Sequence, residues 1–252
     1  MVNIGIIGGA GYTAGELIRI LLHHPEANIV FVHSNSNFGK KVYEVHADLI
    51  GETDLVFSEI EYNQVDVIFL CMGHGMSKEF VNNKDIPNHI KIIDLSHDFR
   101  LKADGNNFVY GLPELNKEDI KSAKYVANPG CFATGIQLAI LPLANHQLLI
   151  DDIHVNGITG STGAGQKPSP TNHFSWRNSN VSVYKAFKHQ HLGEINQSIK
   201  QLQGNYKSNV NFLPVRGNFT RGIYISAYTL CDKKEEDIIN LYEDFYKDQP
   251  FV

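Results

Sequence analysis

The tightest constraint on this chain lies in its first two dozen residues. An apolar run of strand length, Val2–Gly8, ends in glycine and leads straight into Gly9-x-Gly11-x-x-Ala14. Thr13–His24 then has the amphipathic spacing of a helix and is stopped by Pro25. Glycines at such a junction allow a tight turn and let the backbone approach a pyrophosphate, which rests on the positive helix N-terminus. A bare G-x-G-x-x-A pattern is weak, and a glycine-rich connection of flavodoxin-like type is its plain alternative. The strand before and the helix after supply the context that the motif requires. Gly8, Gly9, Ala10, Gly11, Tyr12, Thr13 and Ala14 are therefore expected to hold a dinucleotide.

The end of the second strand decides which one. Sites that prefer NAD place Asp or Glu there for the ribose 2′-hydroxyl. Here the strand Ile29–His33 runs into Ser34-Asn35-Ser36-Asn37, with no acid until Glu44 and with Lys40 and Lys41 nearby. Ser34, Asn35 and Ser36 suit a 2′-phosphate, so the expected cofactor is NADP. Further short β-rich runs at Val65–Met72 and Lys91–Leu95 alternate with helical stretches, as in a Rossmann-like, doubly wound parallel sheet. Residues 1–127 are read as this dinucleotide domain. Residues 128–252 change texture: a helix near Cys131–Gln147, strands at Ile153–Ile158, Val210–Val215 and Gly222–Leu230, and helices near Gly193–Leu202 and Lys234–Lys247. They are expected to form an α+β catalytic domain with a mixed sheet.

Composition narrows the function classes. The start lacks a basic n-region and meets glycine too early for a signal peptide. The apolar run Ile136–Ala144 is short and carries Gln137 and Pro142, so no membrane span is expected. Cys71, Cys131 and Cys231 form no C-x-x-C pair, which points to a reducing cytoplasm and away from disulfides or a zinc ribbon. The net charge of −5 disfavours nucleic acid, yet Gly160–Gly222 holds eight basic residues and the single acid Glu194. A locally positive cleft concentrates small anions.

Asn128-Pro129-Gly130-Cys131 puts a cysteine where a turn becomes a helix. Unpaired first-turn N–H groups and the macrodipole both favour a thiolate there, making Cys131 a nucleophile. Cys71, inside an apolar strand, reads as a core residue. His189-Gln190-His191 is the best acid–base candidate, since two rings two residues apart share a face if the segment is extended. Glu194 follows within one helical turn and could orient His191. No ligand spacing supports a metal. The loop Gly160–Lys167 is rich in small residues and hydroxyls suited to an oxyanion or phosphate, and Arg221 could clamp an anion bidentately. A dinucleotide, an activated cysteine, a histidine and an anion loop combine most economically into reduction of an acyl phosphate through a thioester.

The ordered motifs Gly8–Leu17, Asp94-Leu95-Ser96-His97-Asp98-Phe99-Arg100-Leu101, Tyr110–Glu114, Asn128–Cys131, Gly160–Lys167, His189–His191 and Thr220-Arg221-Gly222 span the whole chain. Together they resemble the N-acetyl-gamma-glutamyl-phosphate reductases of arginine biosynthesis. The competing readings are related acyl-phosphate or semialdehyde dehydrogenases acting on aspartyl, aminoadipyl or N-succinyl substrates, a non-catalytic NADP-binding protein, and a cysteine-dependent acyl hydrolase that ignores the dinucleotide. The resemblance implies that Cys131 is the nucleophile, with His189 and His191 as thiol activator and general acid in an order left open. It implies substrate contacts from Arg100, Asn128, Ser161, Glu194 and Arg221, and further cofactor contacts from Gly73, Ser161, Gly163, Ala164 and Gly165. A small anionic acyl-phosphate substrate and a homodimer or homotetramer are expected with it. Gln190 stands where the family commonly has Arg. The end at Pro250-Phe251-Val252 reads as a strand begun and not completed, and the family pattern implies a further strand and helix beyond it.

Overall fold

The computed structural model describes residues 1–102 and 106–252. Contacts divide it into two compact units, Met1–Gly111 with Glu118–Asn128, and Leu112–Lys117 with Pro129–Val252.

In the first unit β1 (Val2–Ile7), α1 (Tyr12–Leu22), β2 (Ala27–His33), β3 (Val67–Leu70), α2 (Met76–Asn83), β4 (Lys91–Asp94), β5 (Val109–Tyr110) and β6 (Tyr125–Ala127) build one sheet with flanking helices. Its order is β2-β1-β3-β4-β6-β5 and every pairing is parallel. The strands are short and apolar because both faces are covered. On one side Ile4, Ile6 and Val32 pack with Ala14, Ile18 and Phe57; on the other Ile7, Ile68, Leu70 and Ile92 gather with Val65 and Ile90. Burying each such side chain contributes about 1.5–3 kcal/mol. This is the doubly wound parallel sheet anticipated from the strand spacing. Helix α3 (Pro113–Ser122) is broken at Asn116, whose dihedrals are not helical.

The second unit contains α4 (Cys131–Asn145), β7 (Ile153–Thr159), α5 (Phe174–Arg177), β8 (Ser182–Val183), α6 (Leu192–Leu202), β9 (Val210–Arg216), β10 (Ile223–Tyr228) and α7 (Glu235–Tyr246). The sheet order is β10-β7-β9-β8, with β7 and β9 parallel and the outer pairs antiparallel, so the sheet is mixed as expected. Strand alternation aims Ile153, Val155 and Phe212 at one face, where Phe132, Ile136 and Ile140 of α4 and Ile195 and Ile199 of α6 close the core. A Cβ on Gly157 would lie 2.6 Å from the Phe132 ring. That glycine therefore lets Phe132 seat against β7 and so fixes the start of α4. Helices α2 and α3 and the short strands β5, β6 and β8 had no periodic signal in the sequence.

Candidate active site

At the carboxyl ends of β1, β2 and β3 the first unit opens a cavity of about 430 Å³, lined among others by Gly8, Ala10, Ser34, Asn35, Ser36, Gly73 and Lys84. Ligands of open α/β sheets bind in such crevices. Gly8 adopts φ +82°, and a Cβ there would meet the Cys71 carbonyl at 2.8 Å. The N–H groups of Gly8 and Gly9 both donate to the His33 carbonyl, at 3.1 and 2.8 Å, tying the turn to β2. The N-cap of α1 is Gly11, which has no side chain to cap the helix, and no acid stands in its first turn, as an anion site at a helix N-terminus requires. Tyr12 and Thr13 are exposed there, while Ala14 is buried in the core. None of the cavity-lining residues is acidic. His33 Nε2 pairs with Asn35 Oδ1 at 3.0 Å, and Lys40 donates to Asn37 Oδ1 at 3.1 Å. These residues fit a dinucleotide.

His46 belongs to this site and carried no sequence signal. It is buried after β2, its Nε2 lies 2.8 Å from the Gly9 carbonyl, and a Cβ on Gly15 would reach its Nδ1 at 2.6 Å.

In the second unit Cys131 is exposed as the first residue of α4, behind Gly130 in extended backbone. His189 and His191 are 4% and 6% exposed and their rings lie 4.5 Å apart. The segment is a turn and not a strand: His191 has helical dihedrals and caps α6. The turn nevertheless brings both rings edge-on to Phe132, the neighbour of Cys131, at 5.6 and 6.4 Å. A Cβ on Gly130 would run into His191 Nε2, so the absence of a side chain there is what lets the ring approach. Glu194 is buried and accepts the Gly130 N–H at 2.8 Å, holding the turn before Cys131; its other oxygen stands 3.9 Å from His191 Nε2. Burial first, then His191 and Lys185, push the His189 pKa down to about 4 against the opposing pull of Glu194. His189 is therefore neutral at pH 7. Its Nδ1 accepts the His191 backbone N–H at 3.3 Å, which assigns the ring proton to Nε2. Cys71, by contrast, is pushed up to about 12 by burial and Asp94 and stays a thiol.

Residues 3–123 match the semialdehyde dehydrogenase NAD-binding domain and residues 131–252 the semialdehyde dehydrogenase dimerisation domain. Over its full length the chain is 57% identical to proteins named N-acetyl-gamma-glutamyl-phosphate reductase from Parabacteroides distasonis and Christiangramia forsetii, covering 79% and 78% of them. This chain belongs to the N-acetyl-gamma-glutamyl-phosphate reductase family. It is an oxidoreductase of semialdehyde dehydrogenase type with a nicotinamide-cofactor domain. Among solved structures, aspartate semialdehyde dehydrogenase II of Vibrio cholerae superposes with a TM-score of 0.73 at 15% identity, covering 96% of this chain and 78% of that one. The aspartate semialdehyde dehydrogenase of Candida albicans with NADP gives 0.68 at 14%, covering 96% and 76%. These two share the fold.

Other residues expected in this reductase family's site fall in several places. Arg100 is buried in the first unit, where Nε donates to the Asn128 carbonyl at 2.8 Å and Nη2 to the Leu95 carbonyl at 3.0 Å. The loop after β7 is a short 3₁₀ turn, Ser161–Ala164, in the second unit. Many of its donors are already spent: Ser161 N–H and hydroxyl on the Phe219 carbonyl, and Thr162 N–H and hydroxyl on that of Thr220. Gly165 donates back to Thr162. The loop is thus laced to residues 219–222, the segment that presents the exposed Arg221. Among the described residues no group of three His, Cys, Asp or Glu gathers as a metal site, and no helix is long and apolar enough to cross a membrane.

Proposed function

We propose that the chain reduces N-acetyl-gamma-glutamyl phosphate, the compound its relatives are named for reducing, to N-acetylglutamate 5-semialdehyde with NADPH, releasing phosphate. What supports this reading is Cys131, exposed at the start of α4 between Gly130 and Phe132, the two residues against which His191 and His189 pack, in a chain 57% identical over its own full length to those reductases. The Cys131 sulfur, at the amide end of α4, attacks the acyl carbon; the C–O bond to phosphate breaks and a thioester remains. His191, packed over Gly130, takes the thiol proton. His189, neutral and protonated on Nε2, is suited to donate a hydrogen bond to the oxyanion of each tetrahedral adduct. When bound, the reduced nicotinamide supplies the hydride that turns the thioester into a thiohemiacetal. Collapse of that adduct breaks the C–S bond, releasing the aldehyde and restoring Cys131. Gly8–Ala14, Ser34–Ser36 and Gly73 hold the dinucleotide, and the carboxylate-free end of β2 favours the 2′-phosphate of NADP. Arg100, Arg221 and the Ser161–Gly165 loop serve the substrate's phosphate and the cofactor, Asn128 and Glu194 shape the approach to Cys131, and residues 131–252 carry a homo-oligomer contact in a cytoplasmic enzyme.

The reverse reaction tests this directly. The full chain, NADP, inorganic phosphate and N-acetylglutamate 5-semialdehyde should generate NADPH absorbance only when phosphate is present, and Cys131→Ala should lower the rate by roughly 10⁴-fold or more. Phosphate-independent turnover, or turnover retained without the thiol, overturns the acyl-phosphate mechanism.

A further inference from the structure

A second basic centre lies in the unit that carries Cys131, one aromatic ring away from the histidines. Arg177 closes α5 and Arg216 closes β9, paired in register with Ser182 of β8 and Thr159 of β7. Arg177 is buried, and its donors go to neutral acceptors: the carbonyls of Thr171, Asn180 and Arg216 and the Ser182 hydroxyl. Arg216 is tied less completely. Its Nη1 donates to Asn172 Oδ1 at 2.9 Å and its Cζ sits 4.7 Å from the Tyr184 ring centroid, while Nε is buried without a hydrogen-bond partner. Among the described residues no carboxylate forms an ion pair with either arginine.

Buried charges in proteins are paired and buried donors are satisfied. Arg177, a buried guanidinium with no acid beside it, breaks the first rule, and the buried, idle Nε of the half-buried Arg216 breaks the second. An anion presented to the Nε edge of Arg216 restores both, because that edge offers two parallel donors matched to a carboxylate. Tyr184 joins this centre to the reaction site. Its ring carries Arg216 on its face and meets His189 edge-on at 5.7 Å, and Cys131 is among the charges its hydroxyl senses.

We propose that Arg216, reinforced by the charge of Arg177, anchors a carboxylate of the substrate remote from the reacting carbon, with Tyr184 between that anchor and the Cys131–His189 cluster. This rests on the reductase reading of Cys131 and deepens it by naming the group that orients the acyl chain. The sequence marked Arg216 only as one of eight basic residues in a positive stretch. Its pairing with Arg177 comes from the ends of β9 and α5 and has no sequence spacing to betray it.

The test compares two aldehydes in the reverse direction with the full chain, NADP and phosphate. N-acetylglutamate 5-semialdehyde carries the carboxylate; 4-acetamidobutanal has hydrogen in its place. Arg216→Gln should raise KM for the first on the order of tenfold or more, leaving its kcat and the KM for the second within about twofold. Arg216→Lys, which keeps the charge and loses the fork, should recover part of the loss. Equal weakening toward both aldehydes, or no change toward either, overturns the anchor while leaving the reductase reading standing. Should the Gln variant fail to fold, the Lys variant decides: a narrowed preference between the two aldehydes supports the anchor and an unchanged preference overturns it. Absence of phosphate-dependent turnover in the unmodified chain with either aldehyde would bring down the reductase reading and the anchor together.

Discussion

His189 shows how one residue's surroundings set its chemistry. Buried against Phe132, Tyr184 and Phe212 and facing Lys185 and His191, it is held neutral with a pKa of about 4. In the unfolded chain the same ring titrates near pH 6.5. Between those values the unfolded state binds the extra proton, so stability rises with pH across the window and falls on acidification through it. His189→Gln should therefore flatten the loss of stability between about pH 6.5 and 4, read as denaturant midpoints at successive pH values. An unchanged slope would mean that the ring is not the group responsible. The sequence singled out this histidine by its partner two residues on, but for a reason the structure replaces. The rings meet through a turn that caps α6, which alternation along a strand does not describe. The burial that makes His189 neutral comes from α4, β9 and the segment after β8, so no local pattern records it.

Among the elements, the strand–turn–helix at the start of the chain was legible because each local preference agrees with the fold. β1 is apolar, the glycines permit the turn, and α1 has a face of Ala14, Ile18 and Leu21 to bury. What fixes the turn in space was not legible. His46 reaches across from a 3₁₀ segment more than thirty residues downstream, bonding the Gly9 carbonyl and occupying the space beside Gly15. Removing it leaves that carbonyl without its side-chain donor and opens a gap against the helix that follows. His46→Ala should weaken NADPH binding about tenfold, measured by fluorescence titration, whereas His46→Gln should retain part of the affinity through its own N–H. Equal affinity in the Ala variant would show that the glycine turn holds its shape unaided. The same distance effect hid β5, β6 and β8. Strands of two or three residues are defined by their neighbours, and their own composition carries little.

Across the whole molecule, the glycine turn and β2 end proposed to hold most of the dinucleotide and the proposed nucleophile Cys131 lie in separate compact units, so substitutions at them should separate along the same line. In the first unit the end of β2 presents Ser34, Asn35 and Ser36 with no carboxylate in the cavity lining. Asn35 is exposed, and its side chain lies 3.0 Å from His33 Nε2. Asn35→Asp therefore adds a negative charge at the ribose edge with little structural cost. That charge repels a 2′-phosphate and offers an acceptor to a 2′-hydroxyl. The ratio of kcat/KM for NADPH over NADH should fall by on the order of 10- to 100-fold, while KM for phosphate and aldehyde at saturating cofactor stays the same. Cys131→Ala should do the reverse, abolishing turnover and leaving the dissociation constant for NADPH within about twofold. If Asn35→Asp left the cofactor ratio untouched, the 2′-phosphate would have to be read elsewhere, with Lys40 and Lys84 as the next cations to remove. If Cys131→Ala weakened NADPH binding as strongly as turnover, the division of labour between the two units would not hold.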